Sequence, residues 1–307
     1  MKKVFIDGSA GTTGLRIHER LADRKDLEVI TLSDDKRKDP LFRKEALNGA
    51  DIAFLCLPDA AAIEAVSLLD NPDTVIIDTS TAHRTNPEWT YGFPEILGLK
   101  EKIRKSKRIA NPGCHASGFV ALIAPLVENG LMDPSLKLSC FSLTGYSGGG
   151  KKMIAEYEDP DRSSLYDGPR AYALSQQHKH LPEMQKICSL ESLPIFSPIV
   201  APFYSGMEVS VPLFGSDLNC SFEELKKFYT NYYKDGLVKC CLDDCEGGFL
   251  SSTAFSCKDT MEISVTGNSE RIVLVSRFDN LGKGASGAAI QNMNILLGVP
   301  ENTGLSI

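Results

Sequence analysis

The sequence carries a single Trp in 307 residues, and it has no run near the ~18 consecutive apolar residues that a membrane span requires. Its opening, Met1-Lys2-Lys3-Val4-Phe5-Ile6, turns polar at Asp7, too soon for the apolar core of a secretory signal, so a cytoplasmic location is expected. No long basic run is present, and the net charge is −7, which argues against a broad positive face for nucleic acid. Internal repeats and low-complexity tracts are missing as well. No two cysteines stand at C-x-x-C spacing, and no His follows His180. Cys240, Cys241 and Cys245 form the one cluster, and neighbours in a strand point to opposite faces, so no metal site is expected. What is present is ample apolar material, 42% against 24% charged, which excludes a disordered chain. At ~150 residues per domain the length suggests two domains. Nine cysteines, an odd count without a small disulfide scaffold, read as reduced thiols.

The first third alternates short apolar runs with helical patterns. Strands are expected over Lys2–Asp7, Leu27–Leu32, Asp51–Leu57, Thr74–Asp78 and Arg108–Ala110, with helices over Leu15–Ala22 and Ala60–Leu69. That alternation implies a parallel sheet with right-handed crossovers. After about residue 135 longer alternating stretches take over: Lys137–Thr144, Pro194–Pro212, Thr260–Thr266 and Arg271–Phe278, with one amphipathic helix near Phe222–Tyr233. These predict a second domain on a mixed, largely antiparallel sheet. Gly284–Leu297 reads as a closing helix.

Gly8-Ser9-Ala10-Gly11-Thr12-Thr13-Gly14 lies between the first strand and first helix with the spacing G-x-x-G-x-x-G. Backbone N–H groups at a helix N-terminus hold a pyrophosphate without charged side chains, although the same glycines also suit a plain tight turn. At the end of the second strand Asp34 and Asp35 could accept from a ribose 2′-OH, whereas Lys36, Arg37 and Lys38 suit a 2′-phosphate. Three successive cations favour NADP(H), with Arg37 as its contact, over a merely solvated loop.

Cys114 follows Asn111-Pro112-Gly113 and precedes an apolar helical stretch, Phe119–Val127. The sharp turn should leave it at a helix N-terminus, where the dipole and free amides favour a thiolate. Inert burial, the ordinary fate of a free cysteine, suits Cys56, Cys140 and Cys188 better. A thiolate needs a proton partner, and His178-Lys179-His180-Leu181-Pro182-Glu183 offers two imidazoles, unless both are exposed loop residues.

Taken in order, these motifs resemble the N-acetyl-γ-glutamyl-phosphate reductases in their shorter form. Further markers are Asp78-Thr79-Ser80-Thr81-Ala82-His83-Arg84, Tyr91-Gly92-Phe93-Pro94-Glu95, Thr144-Gly145-Tyr146-Ser147-Gly148-Gly149-Gly150 and Asp279-Asn280-Leu281-Gly282-Lys283-Gly284-Ala285. The resemblance spans nearly the whole chain. It implies an α/β protein in which a Rossmann-type parallel-sheet domain (1–112 and 285–307) joins an α+β catalytic and dimerisation domain with a mixed sheet (113–284). It further implies NADPH-dependent reduction of an acyl phosphate through a Cys114 thioester, with proton transfer by His178 or His180. The implied cofactor set is the glycine loop with Ser33, Arg37, Ser80 and Asn280. Ser147 and Gly148 would approach the substrate, and Arg84, Lys151 and Arg170 are candidates for its carboxylate-binding cation. His115 stands where the family often has an aromatic residue, and Ser205-Gly206 where the longer form has Arg-Gly. A homo-oligomer, dimer or tetramer, is implied as partner. Aspartate-semialdehyde dehydrogenase, a lysine-pathway acyl-phosphate reductase and a non-catalytic NADP-binding regulator are the alternatives.

Overall fold

The computed structural model describes residues 1–33, 35–96, 98–242 and 246–307; Asp34 and Cys245, both named above, lie outside the described residues. The chain divides into two compact units. The first comprises Met1–Pro94, Gly98–Gly113 and Ala285–Leu305, and the second comprises Glu95–Leu97, Cys114–Gly284 and Ser306–Ile307.

The first unit runs β1 (Lys2–Asp7), α1 (Thr12–Leu21), β2 (Leu27–Ile30), α2 (Pro40–Gly49), β3 (Ile52–Leu55), α3 (Asp59–Ser67), β4 (Val75–Asp78), β5 (Thr90–Tyr91), α4 (Leu99–Lys105) and β6 (Arg108–Ala110). The sheet order is β2-β1-β3-β4-β6-β5, with every pair parallel. Its strands are apolar on both faces because both are covered. Val4, Ile6, Ile52, Phe54 and Ile77 pack with Ile17 and Leu21 of α1 and with Ala289, Ile290 and Met293 of the closing helix Gly287–Leu297. Phe5, Ala53, Leu55 and Ile76 pack on the opposite side with Ala46, Leu47, Ala62 and Ala65 of α2 and α3. Strand order reverses between β1 and β3, so a crevice opens at their carboxyl ends. The glycine loop follows β1 at that place.

The second unit contains α5 (Cys114–Glu128), β7 (Ser139–Gly145), α6 (Gly150–Glu158), β8 (Arg170–Ala171), α7 (Leu181–Ile187), β9 (Ile195–Ala201), β10 (Met207–Phe214), α8 (Phe222–Tyr232), β11 (Val238–Cys241), β12 (Met261–Gly267) and β13 (Arg271–Phe278). Its sheet, in the order β11-β12-β13-β10-β7-β9-β8, is mixed: β7–β9 and β11–β12 are parallel and the other pairs antiparallel. The buried helix α5 packs against β10, β13 and α7. Hydroxyls from the α8 end secure it, Tyr233 Oη donating to the Ala121 carbonyl at 2.7 Å and Tyr229 Oη to that of Leu122.

The expected strands Lys2–Asp7, Arg108–Ala110 and Arg271–Phe278 form with those bounds. The stretch Pro194–Pro212 is instead two strands, β9 and β10, with β7 between them. The break falls at 202–206, where Asn280 Oδ1 accepts the Gly206 N–H at 3.0 Å and so fixes the loop.

Candidate active site

In the first unit the chain turns sharply after β1. Gly8 has φ +89°, and a side chain there would collide with the Cys56 carbonyl. Gly11 precedes α1 with no side-chain cap, and the first turn holds no acidic residue, so the amides at this helix N-terminus suit an anion. A cavity of about 280 Å³ opens beside it, with Gly8, Ser9, Arg37, Lys38 and Arg43 in its wall. The three successive cations therefore separate. Arg37 and Lys38 face the cavity, whereas the Lys36 ammonium lies 4.6 Å from the centre of the Phe42 ring. Arg43 is buried against Asp7 at 2.9 Å and reaches Glu64 at 3.1 Å. The Ser33 carbonyl closes the turn by accepting from the amides of Lys36 and Arg37, each at 2.9 Å. Its hydroxyl holds the Asp35 carboxylate below the ordinary range. Glycines, an uncapped helix start and two cations at one cavity fit a phosphate-bearing nucleotide.

The turn after β4 is also polar and buried. Asp78 accepts from Ser80 N (2.9 Å), Ser80 Oγ (2.7 Å) and pairs with His83 Nδ1 (2.6 Å), while His83 stacks on Trp89 at 4.0 Å. Arg84, expected as a candidate substrate cation, is buried in this turn. Its Nε and Nη2 donate to the carbonyls of Asn111 and Thr79, both at 2.9 Å, because buried main-chain oxygens require donors.

In the second unit Cys114 is the first residue of α5 and is half-buried. The segment 279–284 packs on it, and a side chain at Gly284 would bring its Cβ to 3.0 Å from Cys114 Cβ. Asp279 shapes that segment by accepting from the amides of Leu281 (2.7 Å) and Gly282 (2.8 Å) and from Cys257 N. Beside it the wholly buried Lys283 ammonium pairs with Glu95 at 2.6 Å. The eight described cysteines are free thiols. Burial pushes the Cys56 thiol up to about 12 and also raises Cys140 and Cys188, which makes all three poor nucleophiles.

The residue after the cysteine gathers the histidines. His115, 2% exposed, has its ring 5.6 Å from that of His178, 5.5 Å from His180 and 5.2 Å from Phe196. His178 and His180 lie 4.7 Å apart at the start of α7. His180 is 5% exposed, so the pair is no exposed loop feature. The rings meet edge to face, and among the described residues no set of three His, Cys, Asp or Glu converges as metal ligands. Burial depresses His178 to about 4, with the nearby Lys179 charge adding to the effect. Its Nδ1 accepts the His180 N–H at 3.2 Å, so the neutral ring carries its proton on Nε2. Burial depresses His115 to about 3, with His178 second. His115 Nδ1 meets Ser142 Oγ at 2.6 Å and Nε2 meets Tyr172 Oη at 2.6 Å.

The glycine loop after β7 differs from expectation at one residue. The Ser147 side chain is fully buried, and its Oγ accepts from Asn280 Nδ2 at 3.0 Å, so it braces the loop from within instead of facing a ligand. Asn280, expected among the cofactor contacts, lies in the second unit and ties Ser147 to Gly206 through both ends of its amide. Gly148, Gly149 and Lys151 are exposed. Arg170 is enclosed by tyrosines, 3.7 Å from the Tyr166 ring centre and donating to Tyr157 Oη at 3.0 Å. Sequence reasoning left His115 without a role and passed over Ser142, Tyr172 and the Lys283–Glu95 pair. The available signals were the position of His115 directly after the cysteine and the place of Glu95 and Lys283 within two of the quoted motifs.

Comparison with known proteins agrees with this arrangement. Residues 3–106 match the family described as semialdehyde dehydrogenase, NAD binding domain, and residues 114–280 the one described as semialdehyde dehydrogenase, dimerisation domain. N-acetyl-gamma-glutamyl-phosphate reductase 2 of Nostoc sp. is 43% identical over 99% of both chains. The N-acetyl-gamma-glutamyl-phosphate reductase of Brucella ovis is 44% identical over 96% of this chain and 99% of its own. In fold the chain is similar to aspartate semialdehyde dehydrogenase II of Vibrio cholerae (TM-score 0.74, 16% identity, 97% of this chain and 98% of that one). It is also similar to the Candida albicans aspartate semialdehyde dehydrogenase solved with NADP (TM-score 0.67, 16% identity, 99% of each chain).

Proposed function

The chain belongs to the N-acetyl-γ-glutamyl-phosphate reductases of the semialdehyde dehydrogenase family, and from that premise we propose that it makes N-acetylglutamate semialdehyde for arginine biosynthesis by reducing N-acetylglutamyl 5-phosphate with NADPH. The observation that carries this reading is Cys114 at the head of α5, followed by a residue whose ring touches both His178 and His180.

The start of α5 favours the thiolate of Cys114. Attack on the acyl phosphate carbon forms the C–S bond and breaks the C–O bond to phosphate, leaving a thioester on Cys114. The nicotinamide cofactor, when bound, would supply the hydride that lowers the acyl group to the aldehyde level. Cys114 then leaves that carbon as a thiolate, ready for the next cycle. His178, neutral at physiological pH with Nε2–H as donor, steadies negative charge on the departing or collapsing oxygen, and His180 completes the pair that manages the proton. The α1 amides, Ser9 and Arg37 would hold the cofactor phosphates, with Arg37 selecting NADP(H). Gly148 and Lys151 would face the substrate. The mixed sheet would supply the surface for a homo-oligomer.

The test runs the reaction in reverse with phosphate and NADP. N-acetylglutamate semialdehyde should give strong NADPH production and aspartate semialdehyde little; the opposite preference removes the substrate assignment. Cys114→Ser should abolish turnover while NADPH binding stays within a few-fold, and full activity in that variant would exclude the thioester.

A further inference from the structure

The buried His115 lies between two hydroxyls, and hydrogen-bond accounting fixes the direction of all three groups. Among the described residues the fully buried Ser142 hydroxyl has one hydrogen-bonding partner, His115 Nδ1, at 2.6 Å. If Nδ1 carried the proton, the Ser142 O–H would be a buried donor with no acceptor, which is costly. Ser142 therefore donates to Nδ1, the neutral ring keeps its proton on Nε2, and Nε2–H donates to Tyr172 Oη at 2.6 Å. Tyr172 then has its own O–H left to give. His115 is the only described group that bonds this hydroxyl, so its proton points away from the His115 ring.

We propose that Ser142 and His115 form a fixed hydrogen-bond chain whose outer end, the Tyr172 hydroxyl, donates to the negative charge that develops at Cys114. Three features of the second unit support it. His115 adjoins Cys114 in the first turn of α5. The Tyr172 ring also lies 5.9 Å from that of His178, so it borders the histidine pair. Burial, with the charge on Cys114 second, raises the Tyr172 phenol above its ordinary range, which keeps it a protonated donor. Tyr172 would act on the reacting sulfur, and His115 is a positioning residue that acts through Tyr172. A phenylalanine or tyrosine at 115 could not accept from Ser142 and donate to Tyr172 in the same way.

The inference rests on Cys114 being the nucleophile, but its test needs no substrate. The full-length protein is treated with iodoacetamide between about pH 5 and 9, and the rate at which the Cys114 peptide is modified is followed by mass spectrometry. A charge-assisted hydrogen bond is worth about tenfold or more. Tyr172→Phe should therefore slow Cys114 alkylation about tenfold at neutral pH and move its profile to higher pH. His115→Phe should do the same, the double variant should be no slower than either single one, and His115→Gln, which can still donate at the Nε2 position, should recover part of the rate. An unchanged profile in Tyr172→Phe, or additive losses in the double variant, would overturn the proposal. Should His115→Phe not fold, Tyr172→Phe and His115→Gln still decide it. Loss of the reductase reading would show separately, as an unmodified protein without turnover on N-acetylglutamate semialdehyde.

Discussion

At the scale of single residues, burial and charge decide which of several similar groups does chemistry. Arg37 and Lys38 reach the cavity beside the glycine loop, while Lys36 lies against Phe42 and Arg43 is held by Asp7 and Glu64. A guanidinium on a phosphate is worth ~1.5–3 kcal/mol, so Arg37→Ala should weaken NADPH binding by roughly ten- to a hundredfold and NADH binding by no more than about threefold. Fluorescence titration with both cofactors measures the ratio, and an unchanged ratio would remove Arg37 as the selecting residue. The histidines give a prediction of the same grain. His115 and His178 titrate near 3 and 4 in the folded protein against 6.5 when free, because both are kept neutral inside. Below the free value the unfolded chain binds more protons than the folded one, so stability falls as pH drops through 6.5 and levels off near 3 to 4. Each can contribute a slope approaching about 1.4 kcal/mol per pH unit in that window. Urea midpoints measured at steps from neutral to acid should show this loss, and His115→Phe should reduce the slope by about half.

Elements explain what the sequence could and could not reveal. Strands of the parallel sheet were legible because their apolar runs are unbroken, a consequence of burial on both faces. The helix α2 was not, since its buried face includes Arg43, and a cation reads as solvent-facing until Asp7, far away in the chain, is known to receive it. The histidine cluster escaped for a similar reason: the first turn of α5, the residue after β8 and the segment leading into α7 each contribute part of it, and spacing along a chain carries no distance between such segments. The closing segment 279–284 was legible as a motif but not as a wall against Cys114. That role makes a prediction. Gly284→Ala would bring a methyl to 3.0 Å from Cys114 Cβ and 3.1 Å from the Asp279 carbonyl. Overpacking of this kind costs about 1–3 kcal/mol, so a drop of several degrees in Tm is expected. Because the strain falls on Cys114, the proposed nucleophile, kcat should fall at least tenfold, a loss much larger than that of a methyl added to an open glycine such as Gly49. Full activity with a lowered Tm would leave the segment a structural role only.

For the molecule as a whole, one face of the mixed sheet in the second unit is half-exposed along β7, β9 and β10. Along β10 the even-numbered residues face outward, and the register sets Ser210 opposite Phe141 of β7 and Phe141 opposite Ser197 of β9. Phe141, Ile195 and Phe214, all on this face, remain 50%, 65% and 63% exposed. Alternation alone could not disclose this, because a half-apolar strand pattern looks the same whether the outer face meets water or a partner. Large apolar side chains concentrated on one sheet face are a liability in an isolated chain and a recognition surface in a homo-oligomer. A second copy is the occupant that the match to a dimerisation domain favours. Phe141 sits on a central strand, so a charge there would be desolvated in the oligomer and harmless in the monomer. Phe141→Asp should therefore shift the protein toward monomer in light scattering at micromolar concentration while its circular dichroism stays unchanged. A variant that keeps the mass of the native assembly would place the contact elsewhere on the chain.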